Sequence, residues 1–367
     1  MRILELIGDL KDPRMGGKVK HNFGSIIFVT LCGILSGCES WADIHDYGSA
    51  KRDWLQQYVN LSRGIPSEWT FRRVFTLLDP SFLEHLLRTH ASETVFQGKK
   101  SDQIAVDGKA VRGSKRQGMQ CLHSVSAWCH ENGLVLAEEQ VNAKSNEITA
   151  IPLLLKSLDL KDTTISIAAV GCQKSIAEMI RNKRGHYVLG LKRNQLKLYQ
   201  AVDNYIRQQG ESANNRLYDA FDHSHGRSVR RRYFGYNLTS LPEAEGWRDA
   251  KSVVAVETIF SYNNDLERKV TAEWRYYLSS HKSDNKKIPE YIRNHWGIEN
   301  KLHWILDVHL KEDSDQKAER KSVRSFALLK RIALNMVRTK DILSKKSIKR
   351  KLKNAAWDND YLLSLLT

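Results

Sequence analysis

The chain predicts an α/β protein: a mixed five-stranded sheet with helices on its faces, an all-helical segment ahead of it and a β-rich insertion within it. Three observations carry this expectation. Apolar residues recur at helical spacing up to about residue 98. From residue 103 the pattern becomes three strand-like runs followed by helix, strand, helix, strand and helix. Strand-like runs then return between residues 211 and 281. The expected division is 1–98 helical and a candidate for contact with a polyanion, 99–210 the first part of the core, 211–281 the insertion, 282–340 the returning core helices, and 341–367 a basic tail.

In the helical segment, Phe23-Gly24-Ser25 opens an apolar helix, and Trp41 to Tyr47 and Asp53 to Asn60 keep helical spacing. Ser67 is placed to cap a helix through Leu78. There Trp69, Phe71, Val74, Phe75 and Leu78 share a broad face, with Arg72 and Arg73 opposite. Gln103 to Asp107 reads as a short first strand closed by Asp107-Gly108. Cys121 to Cys129 and Gly133 to Val141 read as a hairpin around His130-Glu131-Asn132-Gly133. A helix begins near Thr149 or Pro152, where proline suits a first turn. Thr164 to Val170 is the fourth strand, Lys174 to Lys183 a helix, His186 to Leu191 the fifth strand and Leu196 to Arg207 a helix. Strand-helix-strand crossovers make parallel pairs, and a preceding meander makes the sheet mixed. This is the order of the ribonuclease-H-like fold. Ser252 to Ile259 and Trp274 to Leu278 belong to the insertion, and a helix follows from about Pro289 to Leu306.

The 367 residues carry a formal net charge of +16, with 27% charged and 41% hydrophobic residues. That excess favours a polyanionic partner, nucleic acid or an anionic membrane surface. The longest apolar run, Ser25 to Leu35, is shorter than the ~18 residues a spanning helix needs, and it reads as a buried helix. Five cysteines with no CxxC pair make neither a zinc ribbon nor a disulfide framework, which fits free thiols in a reducing cytoplasm. Residues 317–353 hold 14 Lys or Arg against two acids, yet keep an apolar stripe through Phe326, Leu329, Ile332, Ala333 and Met336.

Two carboxylates stand out. Asp107 ends the first strand, although Asp-Gly after a strand is more often a simple turn. Glu299 lies three residues after Trp296 and three before Leu302, so helical spacing puts it on or beside a buried face. An acid there needs a partner, either a core arginine or a metal ion. Phosphodiester cleavage by paired Mg²⁺ ions needs several carboxylates brought together.

The strings Ala105-Val106-Asp107-Gly108-Lys109 with Arg112, His123 to Ala127, Lys144 to Ile148, Gly171-Cys172-Gln173, Tyr187 to Lys192 with Asn194-Gln195, His225-Gly226-Arg227, and His295 to Trp304 with Asp307-Val308 resemble one family in one order. It is the H-repeat-associated insertion-sequence transposases, of the DDE type, and the resemblance covers nearly the whole chain. It implies a ribonuclease-H-like core with a β insertion before the third acid. It also implies cleavage of double-stranded DNA at inverted-repeat ends, strand transfer by the freed 3′-hydroxyl, two Mg²⁺ or Mn²⁺ ions, and a homodimer on DNA with no membrane role. Its first and third acids map onto Asp107 and Glu299, which would be both catalytic residues and metal ligands. Its second Asp maps onto Ala168, within a strand, Thr164 to Gly171, that holds no acid. Asp162 precedes that position by roughly 20 Å of strand and cannot replace it. The expectation is a transposase whose chemistry is impaired in this copy; the alternative is a non-catalytic relative that binds element ends without cutting.

The expected DNA contacts are Lys109 and Arg112 after the first acid, and Lys192, Asn194 and Gln195 at the carboxyl edge of the sheet. Arg227 and Arg231 form part of a basic cluster in the insertion. His295 and His303, eight apart on one helix, read first as packed structural histidines, with His295 retained as a candidate DNA contact. The Lys345 to Lys353 run is expected to be a backbone-binding arm.

Overall fold

The computed structural model describes all residues except 1, 15–18, 97–100, 116–119, 142–144, 211–212, 225–226, 239–240, 263–270, 316, 318 and 341–344, and except the side chains of 95–96, 213, 224, 227, 261–262 and 271. The His225-Gly226 string and the side chain of Arg227 therefore lie outside the described residues. The chain divides into two compact units. The first comprises Met1–Ser101, Gly108–Lys144 and Glu299–Thr367; the second comprises Asp102–Asp107 and Ser145–Ile298.

In the first unit the N-terminal helices are α1 (Arg2–Gly8), α2 (Phe23–Leu35), α3 (Trp41–Ala50), α4 (Arg52–Leu55), α5 (Glu68–Leu77) and α6 (Pro80–Phe96). Their starts follow local chemistry. Asn22 caps α2 by accepting from Ser25 N at 2.9 Å, and Ser40 and Asp43 form a reciprocal capping box on α3. Ser67 caps α5 as expected, accepting from Thr70 N. Helix α2 is buried on almost every side, which is why its sequence is apolar all round. No helix among the described residues is long and apolar enough to cross a membrane. On α5, Phe71, Val74 and Phe75 are buried, but Trp69 is 63% exposed under the guanidinium of Arg73. The expected apolar face is thus narrower, and the indole stacks under a solvent-facing guanidinium.

Strand β1 (Gln103–Val111) runs four residues beyond Asp107, so Asp107-Gly108 is a mid-strand pair rather than a closing turn. With β2 (Leu122–Cys129) and β3 (Leu134–Gln140) it gives the order β3-β2-β1, the hairpin antiparallel. The long helix near the C-terminus, Arg320–Lys340, packs against α2, α5, α6 and β3. Its expected stripe of Phe326, Leu329, Ile332, Ala333 and Met336 is fully buried. Residues assigned to the basic tail form two further helices, Ile348–Trp357, capped by Ser347, and Asn359–Leu366, capped by Asp358.

The second unit holds α7 (Glu147–Lys156), β4 (Thr164–Ile167), α8 (Lys174–Asn182), β5 (His186–Leu191) and α9 (Leu196–Gln209). Helix α7 starts earlier than the proline suggested, because Asn146 accepts from Ile148 N and caps it, leaving Pro152 inside. Among the described residues the insertion forms four antiparallel strands, β6 (Arg216–Ser224), β7 (Arg227–Asn237), β8 (Ser252–Tyr262) and β9 (Thr271–Ser279). The order is β1-β4-β5-β9-β8-β7-β6, with β1, β4 and β5 parallel and β9 antiparallel on β5. Helix α10 (Ile288–Gly297) covers this sheet, burying Ile288, Tyr291 and Ile292 against Val188, Tyr233, Val254 and Val256. A meander, two parallel crossovers and a β insertion before the returning helix make this a ribonuclease-H-like mixed sheet.

Candidate active site

The parallel register of β1 on β4 pairs Gln103 with Thr164 and Val106 with Ile167. Immediately after this last pair come Asp107, still within β1, and Ala168, the first residue past β4. Paired strands lie about 4.8 Å apart, so two side chains at these positions would be direct neighbours. Strand β4 ends at Ile167 rather than Val170, and Ala168 opens a short 3₁₀ turn, Ala169–Gly171. Both Asp107 and Ala168 are half-buried.

The turn after Ala168 is held by amide side chains. Asn194 Nδ2 donates to Ala169 O at 2.7 Å, and Gln195 Nε2 donates to Cys172 O at 3.0 Å. A Cβ on Gly190 would lie 3.2 Å from Ala169 N, so β5 passes close beneath the same turn. The structure thus spends the Asn194 and Gln195 amide groups on shaping the loop at position 168. Lys192, beside them, is exposed.

Behind β4, the buried Gln103 donates to Ser166 Oγ at 2.8 Å and to Tyr291 O at 2.7 Å. His295 Nδ1 lies 3.1 Å from the same hydroxyl. This imidazole faces the sheet rather than a ligand, and burial lowers its pKa to about 4, Ser166 opposing. The unfolded ring binds a proton near pH 6.5 and the folded ring does not. The stability gained from the neutral ring is therefore present above pH 6.5 and lost as pH falls toward 4. At pH 5 the loss is about 2 kcal/mol. In urea unfolding at pH 7.5 and 5, His295→Gln should lose less stability between the two values than the parent, by about that amount. An unchanged difference would show that His295 does not titrate on unfolding.

Glu299 is the second residue of a π-helical stretch, Ile298–His303, which leads into α11 (Trp304–Val308). The buried line runs through Ile298, Leu302 and Leu306, each 0% exposed, four residues apart. Glu299 sits one position off that line and is exposed, not on the buried face that Trp296 and Leu302 suggested. Trp296 is itself 37% exposed, with the guanidinium of Arg275 over its ring. The i to i+5 closure of a π stretch shifts the phase of a helical stripe, and such stretches are frequent at functional sites.

Lys109 is buried, with its ammonium 2.6 Å from Asp307 Oδ1, 3.2 Å from Asp313 Oδ1 and 3.4 Å from Glu312 Oε2. Arg112 is exposed, and its backbone N–H donates to Asp313 Oδ1 at 3.1 Å. A Cβ on Gly113 would lie 2.4 Å from Asp313 O, so only glycine admits this approach. Glu312 also pairs with Arg331, Arg331 with Glu138, and Glu138 with Arg324, which reaches Glu84 at 2.9 Å. Sequence reasoning did not single out Asp313, Glu312 or Glu138. The available signal was the presence of Arg324, Lys330 and Arg331 within the apolar stripe of one helix.

In the insertion, Arg230, Arg231 and Arg232 pair with Asp219, Asp222 and Glu257 across the strands. The basic cluster is therefore largely balanced by acids. Arg231 also lines a pocket of about 160 Å³ with Tyr277, Arg275, Arg293 and Trp296.

A two-ion centre needs several hard oxygen ligands per ion. The turn at the end of β4 offers a methyl group at position 168. Among the described residues no group of three or more His, Cys, Asp or Glu side chains is arranged to hold a metal ion. The residues present do not fit a two-ion centre.

Comparison with known proteins places these features. The family model for the transposase DDE domain matches residues 98–336, and that for the DDE_Tnp_1-associated region matches residues 4–91. "Putative transposase YncI" of Escherichia coli O157:H7 is 36% identical, covering 99% of this chain and 94% of that protein. "H repeat-associated putative transposase YhhI" of Escherichia coli strain K12 is 33% identical, covering 100% of this chain and 97% of that protein. Among solved structures, one titled "Cryo-EM structure of piggyBac transposase synaptic complex with hairpin DNA (SNHP)" matches with a TM-score of 0.38 and 10% identity, covering 96% of this chain and 80% of that one. On the two family models and these full-length relatives, the chain belongs to the DDE-type transposase family.

Proposed function

We propose that this chain binds the inverted-repeat ends of an insertion sequence as a homodimer on double-stranded DNA, and that its strand-cleavage chemistry is disabled by Ala168. The observation that supports the proposal is the β1–β4 register, whose last pair, Val106 with Ile167, immediately precedes Asp107 and Ala168. In the intact family site a divalent ion, Mg²⁺ or Mn²⁺, would stabilise charge on the attacking and leaving oxygens. Asp107 and Glu299 are the residues of this chain that would ligate it, and two acids without the third hold it weakly. What this chain's own residues do is bind and orient. Lys192 and Arg112, both exposed, are the candidate phosphate contacts, whereas Asn194 and Gln195 shape the loop at position 168.

The missing carboxylate also supports a second reading, a relative that occupies element ends and blocks active copies. Both readings require DNA binding whose log affinity falls linearly with log salt. The test is a titration of labelled duplex carrying the element end, from 50 to 200 mM salt, with Lys192→Ala alongside. Removing one phosphate contact should reduce the salt slope by about 1. No preference for the end sequence over random duplex would count against end recognition. Cutting by the chain as written would overturn the impairment.

A further inference from the structure

Lys109 lies two residues beyond Asp107 in β1, on the same face of the strand. A lysine is almost never fully buried unless paired, and this one sits among three carboxylates. Burial alone pulls its ammonium toward the neutral form, but Glu312, Asp307 and Asp313 outweigh it and hold the pKa above the ordinary lysine value. The group is a fixed cation. Its three acids come from two places: Asp307 from α11, and Glu312 and Asp313 from the loop that follows. Glu312 is held in turn by Arg331 of the Arg320–Lys340 helix, and Asp313 by the backbone N–H of Arg112. Asp307 lies eight residues after Glu299, at the end of the same run of helix. Without the ammonium, Asp307, Glu312 and Asp313 would be three carboxylates facing one another.

We propose that Lys109 and Asp307 are positioning residues: their ion pair fastens α11, and with it the π-helical residues from Glu299 onward, to the part of β1 that follows Asp107. The inference deepens the transposase reading, because it gives the third acid a fixed seat. It also removes Lys109 from the DNA contacts, since a side chain 6% exposed and ringed by acids has no face to offer a phosphate.

Hydrogen exchange by mass spectrometry on the chain as written, with Lys109→Met, Asp307→Asn and the double variant, tests this without any cleavage. Each single change should speed exchange across residues 299–310 by about tenfold, and the double should be no faster than the faster single, the non-additivity of one shared contact. The Arg320–Lys340 helix should keep its protection in all three. Asp307→Asn is nearly isosteric and its carboxylate is 32% exposed, so it remains readable if Lys109→Met does not fold. In an Ala168→Asp background, the same changes should slow single-turnover cleavage by roughly 10- to 100-fold while DNA affinity and its salt slope stay fixed. Unchanged exchange in 299–310 overturns the proposal. So does a salt slope reduced by about 1 in Lys109→Met alone, which would make Lys109 a phosphate contact. A restored protein that never cuts, with exchange as described, overturns the catalytic reading and leaves the fastening in place.

Discussion

Ala168→Asp is expected to raise Mg²⁺- or Mn²⁺-dependent cleavage of an element-end duplex by about three orders of magnitude over the chain as written. Asp107 and position 168 follow a parallel pair in register, and the turn after Ala168 is already held by Asn194 and Gln195. A carboxylate introduced there arrives in a loop that needs no rebuilding. Ala168→Asn, of the same shape but lacking the charge, should leave cleavage at the parent level, and Glu299→Gln in the restored background should abolish the gain. A second readout needs no DNA. Two neighbouring carboxylates repel, so the restored protein should lose some stability without metal. It should recover by about 2.7 kcal/mol when free ion reaches a hundred times its dissociation constant. The chain as written should show a much smaller metal response in its melting temperature. Equal responses in the two proteins would mean that position 168 is not at the metal site.

The largest expected loss of stability is at Glu138. Its carboxylate is 1% exposed, pairs with both Arg324 and Arg331, and accepts from Ser126 Oγ at 3.2 Å. Glu138→Ala leaves two buried guanidiniums each short of a partner. Breaking a buried pair from one side costs about 3–5 kcal/mol, because the remaining charge is stranded. That corresponds to a fall in melting temperature on the order of 10 °C. Glu138→Gln, which keeps the shape and an acceptor oxygen for Arg324 and Arg331 but not the charge, should cost less than Glu138→Ala. Chemical denaturation of the three proteins checks this. A loss under about 1 kcal/mol in Glu138→Ala would show that water or relaxation repairs the gap.

The nearness of Asp107 to position 168 was legible because strand order is written in short-range periodicity, although β1 runs on past Asp107 and β4 stops at Ile167. The burial of Glu299 was misread for a related reason. Trp296 and Leu302 bracket it at helical spacing, but the π stretch moves the buried line to Ile298, Leu302 and Leu306. Lys109, Asn194 and Gln195 look like ligand-seeking polar residues in a sequence, yet the fold uses their side chains internally. Which of its possible partners a polar side chain meets depends on segments some 20 to 200 residues away.

The sequence by itself determined the family, the ribonuclease-H-like order of the core strands and the excess of positive charge. Each of these is a property of residue type and spacing along the chain. Only the tertiary structure decided that Arg324, Lys330 and Arg331 turn inward on an otherwise ordinary amphipathic helix, and that Lys109 is fixed among Asp307, Glu312 and Asp313. A charge can be buried only where the opposite charges are delivered to it, and that delivery is made by the packing of distant segments.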